Sequence, residues 1–204
     1  MAFDLANTVG SLRSNPHLLD VATRPLLTPE ECAEVRAVLD DEWKPMRVVA
    51  APSVPGEEPT HGGLLNEQAR RGHQQPLPGG DTGPLAARIT QTVVQVNEEI
   101  FRFRVVGMEA NVQVLRYDGE TEDRFVPHTD IGPLNSMRKL SFSLLLSDPA
   151  EFTGGDLCFG DPIAAARVQG TIAIFPSYLT HQVTPVTGGT RDVVVGWMVG
   201  PAFS

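Results

Sequence analysis

The sequence predicts a mainly β protein, a sandwich or jelly roll with N-terminal helices packed on one sheet. Two observations support this prediction. Before residue 100, two segments space their apolar residues as helices do. After residue 100, the chain changes to short β-like runs separated by turn residues such as Asp118-Gly119 and Gly154-Gly155. Many short strands that follow two helices are typical of such layered β folds.

The first predicted helix begins at Thr28 and extends to about Trp43. Thr28 can cap the helix, Pro29 suits the first helical position, and Glu31 completes a capping box. Apolar residues then follow at helical spacing, namely Cys32, Val35, Val38 and Leu39. The second predicted helix has one apolar stripe, which indicates a helix packed on a core, formed by Leu85, Ile89, Val93, Val96 and Ile100.

Two segments lack such periodicity. Residues 1–27 are interpreted as an arm, and residues 50–84 as a long loop dense in Gly and Pro. A loop of that length is usually functional or disordered. The sequence leaves open whether it is a flexible surface insertion or a lid over a substrate.

The β-rich half is expected to contain eight strands, each a short run with β propensity. The predicted strands are 102–106, 111–117, 139–146, 156–159, 164–168, 171–175, 182–186 and 191–199.

Composition excludes some functions and favours one compartment. The formal charge of -9 disfavours a general nucleic-acid binder, because an acidic chain repels phosphate backbones. The apolar runs are too short to cross a membrane, and the first residues do not resemble a signal peptide. The cysteines, Cys32 and Cys158, are expected to be reduced, so a cytoplasmic protein is predicted.

Among the five histidines, two are placed to bind a metal. His17, His61 and His73 lie in the arm and the Gly/Pro-rich loop and are not expected to be ligands. In His128-Thr129-Asp130 the first and third residues point to the same side of an extended segment. His181, before a predicted strand, would complete two histidines and one carboxylate. That set leaves coordination positions open and suits non-haem Fe(II) chemistry.

The spacing between the second histidine and a later arginine indicates that the two residues belong to one site. Arg191 lies ten positions beyond His181, across Gly188-Gly189, and a hairpin would bring it back alongside the strand that starts at residue 181. A buried arginine there needs an anion, which a dicarboxylate co-substrate would supply.

From Val112 to Phe203 the chain resembles the iron(II)- and 2-oxoglutarate-dependent dioxygenases, in their prolyl 4-hydroxylase-like branch. The order and spacing of several segments carry the resemblance, namely Leu115-Arg116-Tyr117-Asp118-Gly119, His128-Thr129-Asp130, Arg138-Lys139-Leu140-Ser141, Leu146-Ser147-Asp148-Pro149, Phe152-Thr153-Gly154-Gly155-Asp156-Leu157, Phe175-Pro176-Ser177, the run from His181 to Val186, and Thr190-Arg191. The resemblance implies a double-stranded β-helix, that is, a jelly roll.

The resemblance also implies roles for individual residues. His128, Asp130 and His181 are expected to bind Fe(II), and Arg191 the distal carboxylate of 2-oxoglutarate. Tyr117 is expected to contact the co-substrate, with Val183 and Trp197 as walls of its pocket. Relatives often carry Ser two positions after the arginine, where this chain has Val193, so help from Tyr117 or Ser141 is expected instead.

The expected activity is hydroxylation of an unactivated C–H bond, with O2 as oxidant and release of succinate and CO2. Ascorbate is a further expected cofactor. The substrate is expected to be a prolyl or other amino-acid residue, free or in a peptide, and no nucleic acid or membrane is expected as a partner. Candidate substrate contacts are Arg116, Arg124 and Phe125, with Arg70 and Arg71 beside the entrance.

The expected organisation is one dioxygenase domain over 1–204, with arm, helices and loop over about 1–101 and the jelly-roll core over about 102–204. Two other functions stay open. One is an oxygen or 2-oxoglutarate sensor that acts by binding a partner, and the other is a cupin-like metal-binding jelly roll without 2-oxoglutarate. Asp130 favours hydroxylation over halogenation, because the halogenases of this superfamily replace that carboxylate with a small residue.

Overall fold

The computed structural model describes residues 19–48, 65–160 and 164–203. His17 with most of the predicted arm, His61 with residues 50–64 of the Gly/Pro-rich segment, and residues 161–163 lie outside the described residues. Within the described ranges, no helix combines the length and apolar character that crossing a membrane requires.

Two α-helices precede the β-rich core, as predicted. Helix α1 (Pro29–Ala37) begins with the predicted capping box, in which the Thr28 side chain accepts from the Glu31 backbone and the Glu31 carboxylate accepts from the Thr28 backbone. It ends earlier than expected, because the chain leaves helical geometry at Val38 and the Asp40 side chain accepts from the Glu42 backbone in a turn. Helix α2 (Pro84–Val96) continues into a π-helical turn, Asn97–Phe101.

The strands form two antiparallel sheets. They are β1 (Ala22–Pro25), β2 (Lys44–Pro45), β3 (Arg70–Arg71), β4 (His73–Pro76), β5 (Gly107–Met108), β6 (Gln113–Asp118), β7 (Arg124–His128), β8 (Arg138–Leu145), β9 (Phe152–Gly154), β10 (Leu157–Cys158), β11 (Thr171–Pro176), β12 (His181–Val183) and β13 (Val186–Val199). The large sheet has the order β1-β11-β8-β13-β6-β4-β2, with β5 and β9 also paired to β13. The small sheet has the order β10-β12-β7-β3. This is the predicted jelly roll.

The large sheet is buried on both faces, and alternation along its strands separates two cores. On one face, residues such as Val114, Leu144 and Ile174 pack against Ile89 and Val93 of α2. On the other face, residues such as Leu115, Phe175 and Val193 pack toward the small sheet. The site described below lies in this second core.

Some strand predictions were wrong in detail. Residues 102–106 and 164–168 do not form strands, and of the second segment only Ala164 makes an isolated bridge, to Cys158. Strand β7 was missed because its sequence, Arg-Phe-Val-Pro-His, has little β character and contains Pro127. Part of the Gly/Pro-rich segment forms β3 and β4, whose strand geometry comes from pairing with β7 and β6.

The expected hairpin between His181 and Arg191 is also absent. Strand β13 runs from Val186 through Gly188-Gly189 without turning and pairs there with β9, across an irregularity in register. β12 pairs with β7 and β10 rather than with β13, and the chain continues from β12 into β13 along one antiparallel partner segment, from Cys158 opposite Gln182 to Gly154 opposite Val186. Gly189 has φ +69°, so it forms part of a bulge inside a strand.

Candidate active site

Three side chains that can bind a metal meet between the two sheets. His128 ends β7 and His181 begins β12, and the two residues are direct partners across the small sheet. Asp130 follows two residues after His128. Ligand atoms of His128, Asp130 and His181 all lie within 4.8 Å of one another. The structure therefore brings together the three residues that the sequence singled out.

Both imidazoles are oriented by the backbone. Nδ1 of His128 lies 2.8 Å from the carbonyl oxygen of Val126, and Nδ1 of His181 lies 3.0 Å from that of Leu179. A carbonyl oxygen can only accept, so each Nδ1 carries a proton, which leaves Nε2 as the nitrogen that can bind a metal. These Nε2 atoms lie 3.7 Å and 3.4 Å from the oxygens of Asp130. Such hydrogen bonds fix metal-binding histidines in their working tautomer.

The charges of the three groups suit a cation at neutral pH. Burial, together with the neighbouring His181, lowers the pKa of His128 to about 4, so its ring is neutral. Burial alone would raise the pKa of Asp130, but the two imidazoles and hydrogen bonds from Ser141 and Trp197 hold it below its ordinary value. The site thus offers one carboxylate and the nitrogens of two imidazoles, of which His128 is neutral.

A network on β8 and β11 holds Asp130 in place. The Ser141 hydroxyl donates to Asp130 Oδ2 at 2.7 Å and lies 3.0 Å from the Ser177 hydroxyl. The backbone N–H of Asp130 donates to the Ser177 carbonyl oxygen at 2.9 Å. The expectation that Ser141 would assist Arg191 is therefore wrong, because its hydroxyl is already bonded to Asp130.

Arg191 lies deep between the sheets, where β13 pairs with β6. Its direct partner across the large sheet is Tyr117, and its guanidinium carbon lies 5.5 Å from the centre of the Tyr117 ring. Burial lowers the pKa of Arg191, and Nη1 is buried without a hydrogen-bond partner among the described residues. A guanidinium stays charged in proteins, so a buried, unpartnered nitrogen calls for an anion.

One cavity joins Arg191 to the His-Asp-His cluster. Tyr117, Val183, Trp197 and Phe125 line it, as the sequence placed them around the co-substrate or its entrance. The sequence did not identify several further lining residues, namely Leu157, Ser143, Phe175 and Val195. On β13, alternation alone would have found Val193 and Val195, because every second residue from Arg191 to Trp197 faces the cavity. Ser143 follows Ser141 by two positions on β8 and also borders a smaller cavity with Arg191.

Two of the expected substrate contacts do not reach the site. Arg116 lies on the opposite face of β6 from Tyr117, where it donates two hydrogen bonds to the fully buried Asp192, at 2.8 and 2.9 Å, and covers the Trp43 ring. Arg124 donates to the carbonyl oxygen of Glu122 and borders neither the cavity nor the groove beside it. Neither is placed to contact a substrate in the cavity.

The residues present fit Fe(II) and 2-oxoglutarate. Two histidines and a carboxylate on one side of a cavity are the ligands that non-haem Fe(II) oxygenases use, with positions left for other ligands. The buried Arg191, which lines the same cavity, matches the free carboxylate of a dicarboxylate.

Comparison with known proteins agrees with this geometry. Residues 112–199 match the model of the 2OG-Fe(II) oxygenase superfamily. A PKHD-type hydroxylase of Prochlorococcus marinus is 43% identical over 75 residues, which is 35% of this chain and 34% of that protein. A PKHD-type hydroxylase of Parvibaculum lavamentivorans is 28% identical over 143 residues, covering 64% of this chain and 60% of that protein. In both cases the match spans less than two thirds of the relative's length.

Solved structures show the same fold at low sequence identity. A prolyl-4-hydroxylase from Pseudomonas putida superposes with a TM-score of 0.60 at 19% identity, covering 90% of this chain and 93% of the other. A prolyl hydroxylase from Trichoplax adhaerens, in complex with a peptide fragment of the oxygen degradation domain of hypoxia inducible factor, superposes with a TM-score of 0.68 at 12% identity, covering 91% and 84%.

Proposed function

We propose that this protein, whose residues 112–199 match the model of the 2OG-Fe(II) oxygenase superfamily, belongs to the prolyl 4-hydroxylase-like branch of that superfamily. In this proposal it is an Fe(II)- and 2-oxoglutarate-dependent dioxygenase that hydroxylates an unactivated C–H bond. One observation carries the proposal. A His-Asp-His cluster and a buried arginine with an unpartnered nitrogen border the same cavity.

In this proposal each residue has a defined role. Nε2 of His128 and of His181 and the carboxylate of Asp130 hold the metal. Arg191 binds the distal carboxylate of 2-oxoglutarate, and Tyr117, Val183 and Trp197 form walls that orient the co-substrate and exclude water. Ser143 replaces the expected help from Ser141, because it shares a cavity with Arg191.

Bound iron and 2-oxoglutarate supply, with O2, the oxidising chemistry, in which 2-oxoglutarate is converted to succinate and CO2. The chain's own part is positioning. It presents three ligands in a fixed arrangement and neutralises the co-substrate's charge inside a cavity of low polarity. Ascorbate as a further cofactor stays a prediction.

We propose that the substrate is a prolyl or other amino-acid residue, free or in a peptide. Phe125 is proposed to form a wall of the substrate site. The names of the relatives support hydroxylation of this kind. A single domain over 1–204 is also proposed, since strands from the N-terminal half extend the large sheet at both ends, β1 on β11 and β4 on β6.

The test is an absorption spectrum of the purified metal-free protein after Fe(II) and then 2-oxoglutarate are added without oxygen. A new visible charge-transfer band is expected, because the metal and the keto acid would meet in one site. Bound iron without the band would point to a metal-binding jelly roll that does not use 2-oxoglutarate. The lack of both iron and band would refute the ligand assignment.

Replacing Arg191 with Gln should weaken binding of 2-oxoglutarate and leave metal binding intact. A hydrogen bond to a charged group contributes about 1.5–3 kcal/mol, so a bidentate contact predicts a rise in Kd of at least about 100-fold. Kd is read from titration of the charge-transfer band, and bound iron is measured in parallel. The matched control is Arg24→Gln, which removes an arginine that likewise donates to a carboxylate, Glu99, and to a carbonyl oxygen, that of Thr23, and that borders neither the cavity nor the groove. An unchanged Kd in the Arg191 variant would remove its carboxylate role.

A further inference from the structure

A second arginine borders the same cavity with an unsatisfied nitrogen. Nε of Arg70 is buried and has no hydrogen-bond partner. Throughout the described part of the chain, only two buried side-chain nitrogens or oxygens lack a hydrogen-bond partner, namely Arg70 Nε and Arg191 Nη1. Both residues line the cavity of the His-Asp-His cluster. Because a buried guanidinium without an anion is costly, this coincidence indicates a second anion site.

The Arg70 side chain is held in a fixed position. Arg70 lies on β3 opposite Phe125 of β7, and its guanidinium carbon is 4.7 Å from the centre of the Phe125 ring. Its Nη1 donates to the carbonyl oxygen of Arg47 at 3.0 Å. A hydrogen bond with the Tyr117 side chain also holds the guanidinium, and Nε is left without a partner. A guanidinium held this way loses little entropy when it binds a ligand.

The position of Arg70 differs from that of Arg191 in one respect. Arg191 borders the cavity and a second, smaller cavity, whereas Arg70 borders the cavity and a larger groove of about 380 Å³. The groove reaches the cluster, since His128 and Asp130 line it as well. Arg70 therefore lies where a molecule entering from the groove would meet the metal ligands.

Charges around the groove favour an anionic ligand. Of its described lining residues, Asp130 alone is acidic, while Arg47, Arg70 and Arg138 are basic. Arg138 is neutralised by Glu109 through hydrogen bonds of 2.7 and 2.8 Å. Arg70 thus lies beside basic rather than acidic side chains, although the formal charge of the whole chain is -9.

The co-substrate does not account for this second site. Under the proposed function, one carboxylate of 2-oxoglutarate lies at the metal and the other at Arg191. Bound Fe(II) and dianionic 2-oxoglutarate, with Asp130 and Arg191, are then neutral together, and Arg70 remains as one positive charge. A carboxylate on the substrate would balance it.

We propose that Arg70 binds a carboxylate of the substrate, so that the substrate is a free amino acid or a peptide whose C-terminal residue is hydroxylated. This inference rests on the proposed function and narrows its substrate class. It excludes residues in the interior of a peptide when neither they nor their neighbours carry an acidic side chain, because the backbone there has no carboxylate.

The experiment measures binding to the Fe(II)·2-oxoglutarate complex without oxygen, so that no turnover occurs. The probes are the free amino acids, their N-acetyl derivatives and the N-acetyl amides, and Kd is read from the change in the charge-transfer band. At least one acid should bind about tenfold or more tightly than its amide, as expected for a charged hydrogen bond. Preference for free over N-acetyl forms would indicate amino acids, and the reverse would indicate peptide C-termini.

Three variants test whether Arg70 causes the preference for acids over amides. Arg70→Gln should remove the preference for acids over amides. It should change the Kd of 2-oxoglutarate less than about threefold, which is much less than the loss of a charged hydrogen bond to 2-oxoglutarate would cause. Arg70→Lys should restore part of the preference. Arg71→Gln is the matched control, because the neighbouring Arg71 instead donates to the Thr121 carbonyl oxygen and to Glu67.

The outcomes separate the two proposals. No charge-transfer band in the unmodified protein would refute the proposed function. A normal band with no preference for any acid, or a preference that survives in Arg70→Gln, would overturn the role of Arg70 alone. A loss of 2-oxoglutarate binding in Arg70→Gln as large as in Arg191→Gln would assign Arg70 to the co-substrate and also overturn the inference.

Discussion

Under the proposed function, replacing Asp130 with Ala is expected to abolish conversion of 2-oxoglutarate to succinate while the fold is retained. Asp130 is the one carboxylate of the cluster, and its loss leaves two imidazoles that would hold Fe(II) weakly. Loss of a residue that only supports a ligand costs about 10–100-fold in metal affinity or activity, so loss of a ligand should exceed 100-fold. Succinate formation and bound iron are measured together.

The fold should tolerate this change, because Asp130 lies in the loop after β7 and Ser141 keeps its bond to Ser177. Melting of the metal-free variant should lie within about 5 °C of the unmodified protein, which corresponds to about 1–2 kcal/mol for a chain of this size. Asp148→Ala is the control, since that side chain accepts from the Ala150 backbone in a turn and borders neither the cavity nor the groove. Near-normal succinate formation in Asp130→Ala would end the ligand assignment.

Replacing Gly189 with Ala is expected to destabilise the protein more than an ordinary surface substitution. Gly189 has φ +69°, and a Cβ there would lie 1.8 Å from the carbonyl oxygen of Glu151. Left-handed geometry alone costs a residue with a side chain about 1–2 kcal/mol. The contact with backbone must be relieved by moving β13 away from β9, so a total of about 4 kcal/mol is expected, which lowers the melting temperature by about 10 °C.

Two other glycines separate the causes of that effect. Gly80 has φ +66° with nothing within 4 Å of a Cβ, so Gly80→Ala should cost only about 1–2 kcal/mol. Gly107 has neither a positive φ nor a close neighbour, and Gly107→Ala should change stability by less than about 0.5 kcal/mol. If Gly189→Ala melts no lower than Gly80→Ala, the close approach of Glu151 does not constrain β13.

The sequence predicted best what depends on local chemistry. The capping box at Thr28 was confirmed because each partner lies within one helical turn. The His128-x-Asp130 spacing indicated two ligands on one side, and the structure places them so. The jelly roll itself was predicted from the succession of short β-like runs after residue 100 and from the resemblance to the dioxygenase family.

What the sequence did not predict depends on distant pairing. Strand β3 consists of two arginines, and only its pairing with β7 makes it a strand and brings Arg70 to the cavity. The Gly188-Gly189 pair was interpreted as a turn, since glycines usually mark turns, but β9 holds it inside a strand. Arg116 was interpreted as an entrance residue because the sequence does not reveal its partner. That partner, Asp192, is distant along the chain and comes to lie opposite Arg116 only when β6 pairs with β13.

The pairing of His128 with His181 has a consequence for the stability of the small sheet. These residues are direct neighbours on β7 and β12 although 53 positions separate them along the chain. A divalent ion held by both would join the two strands as a cross-link, in the way that a disulfide closes a loop. The short strands β3, β7, β10 and β12 would then depend on metal for part of their resistance to local unfolding. Iron supply would thus govern the lifetime of the folded enzyme as well as its rate.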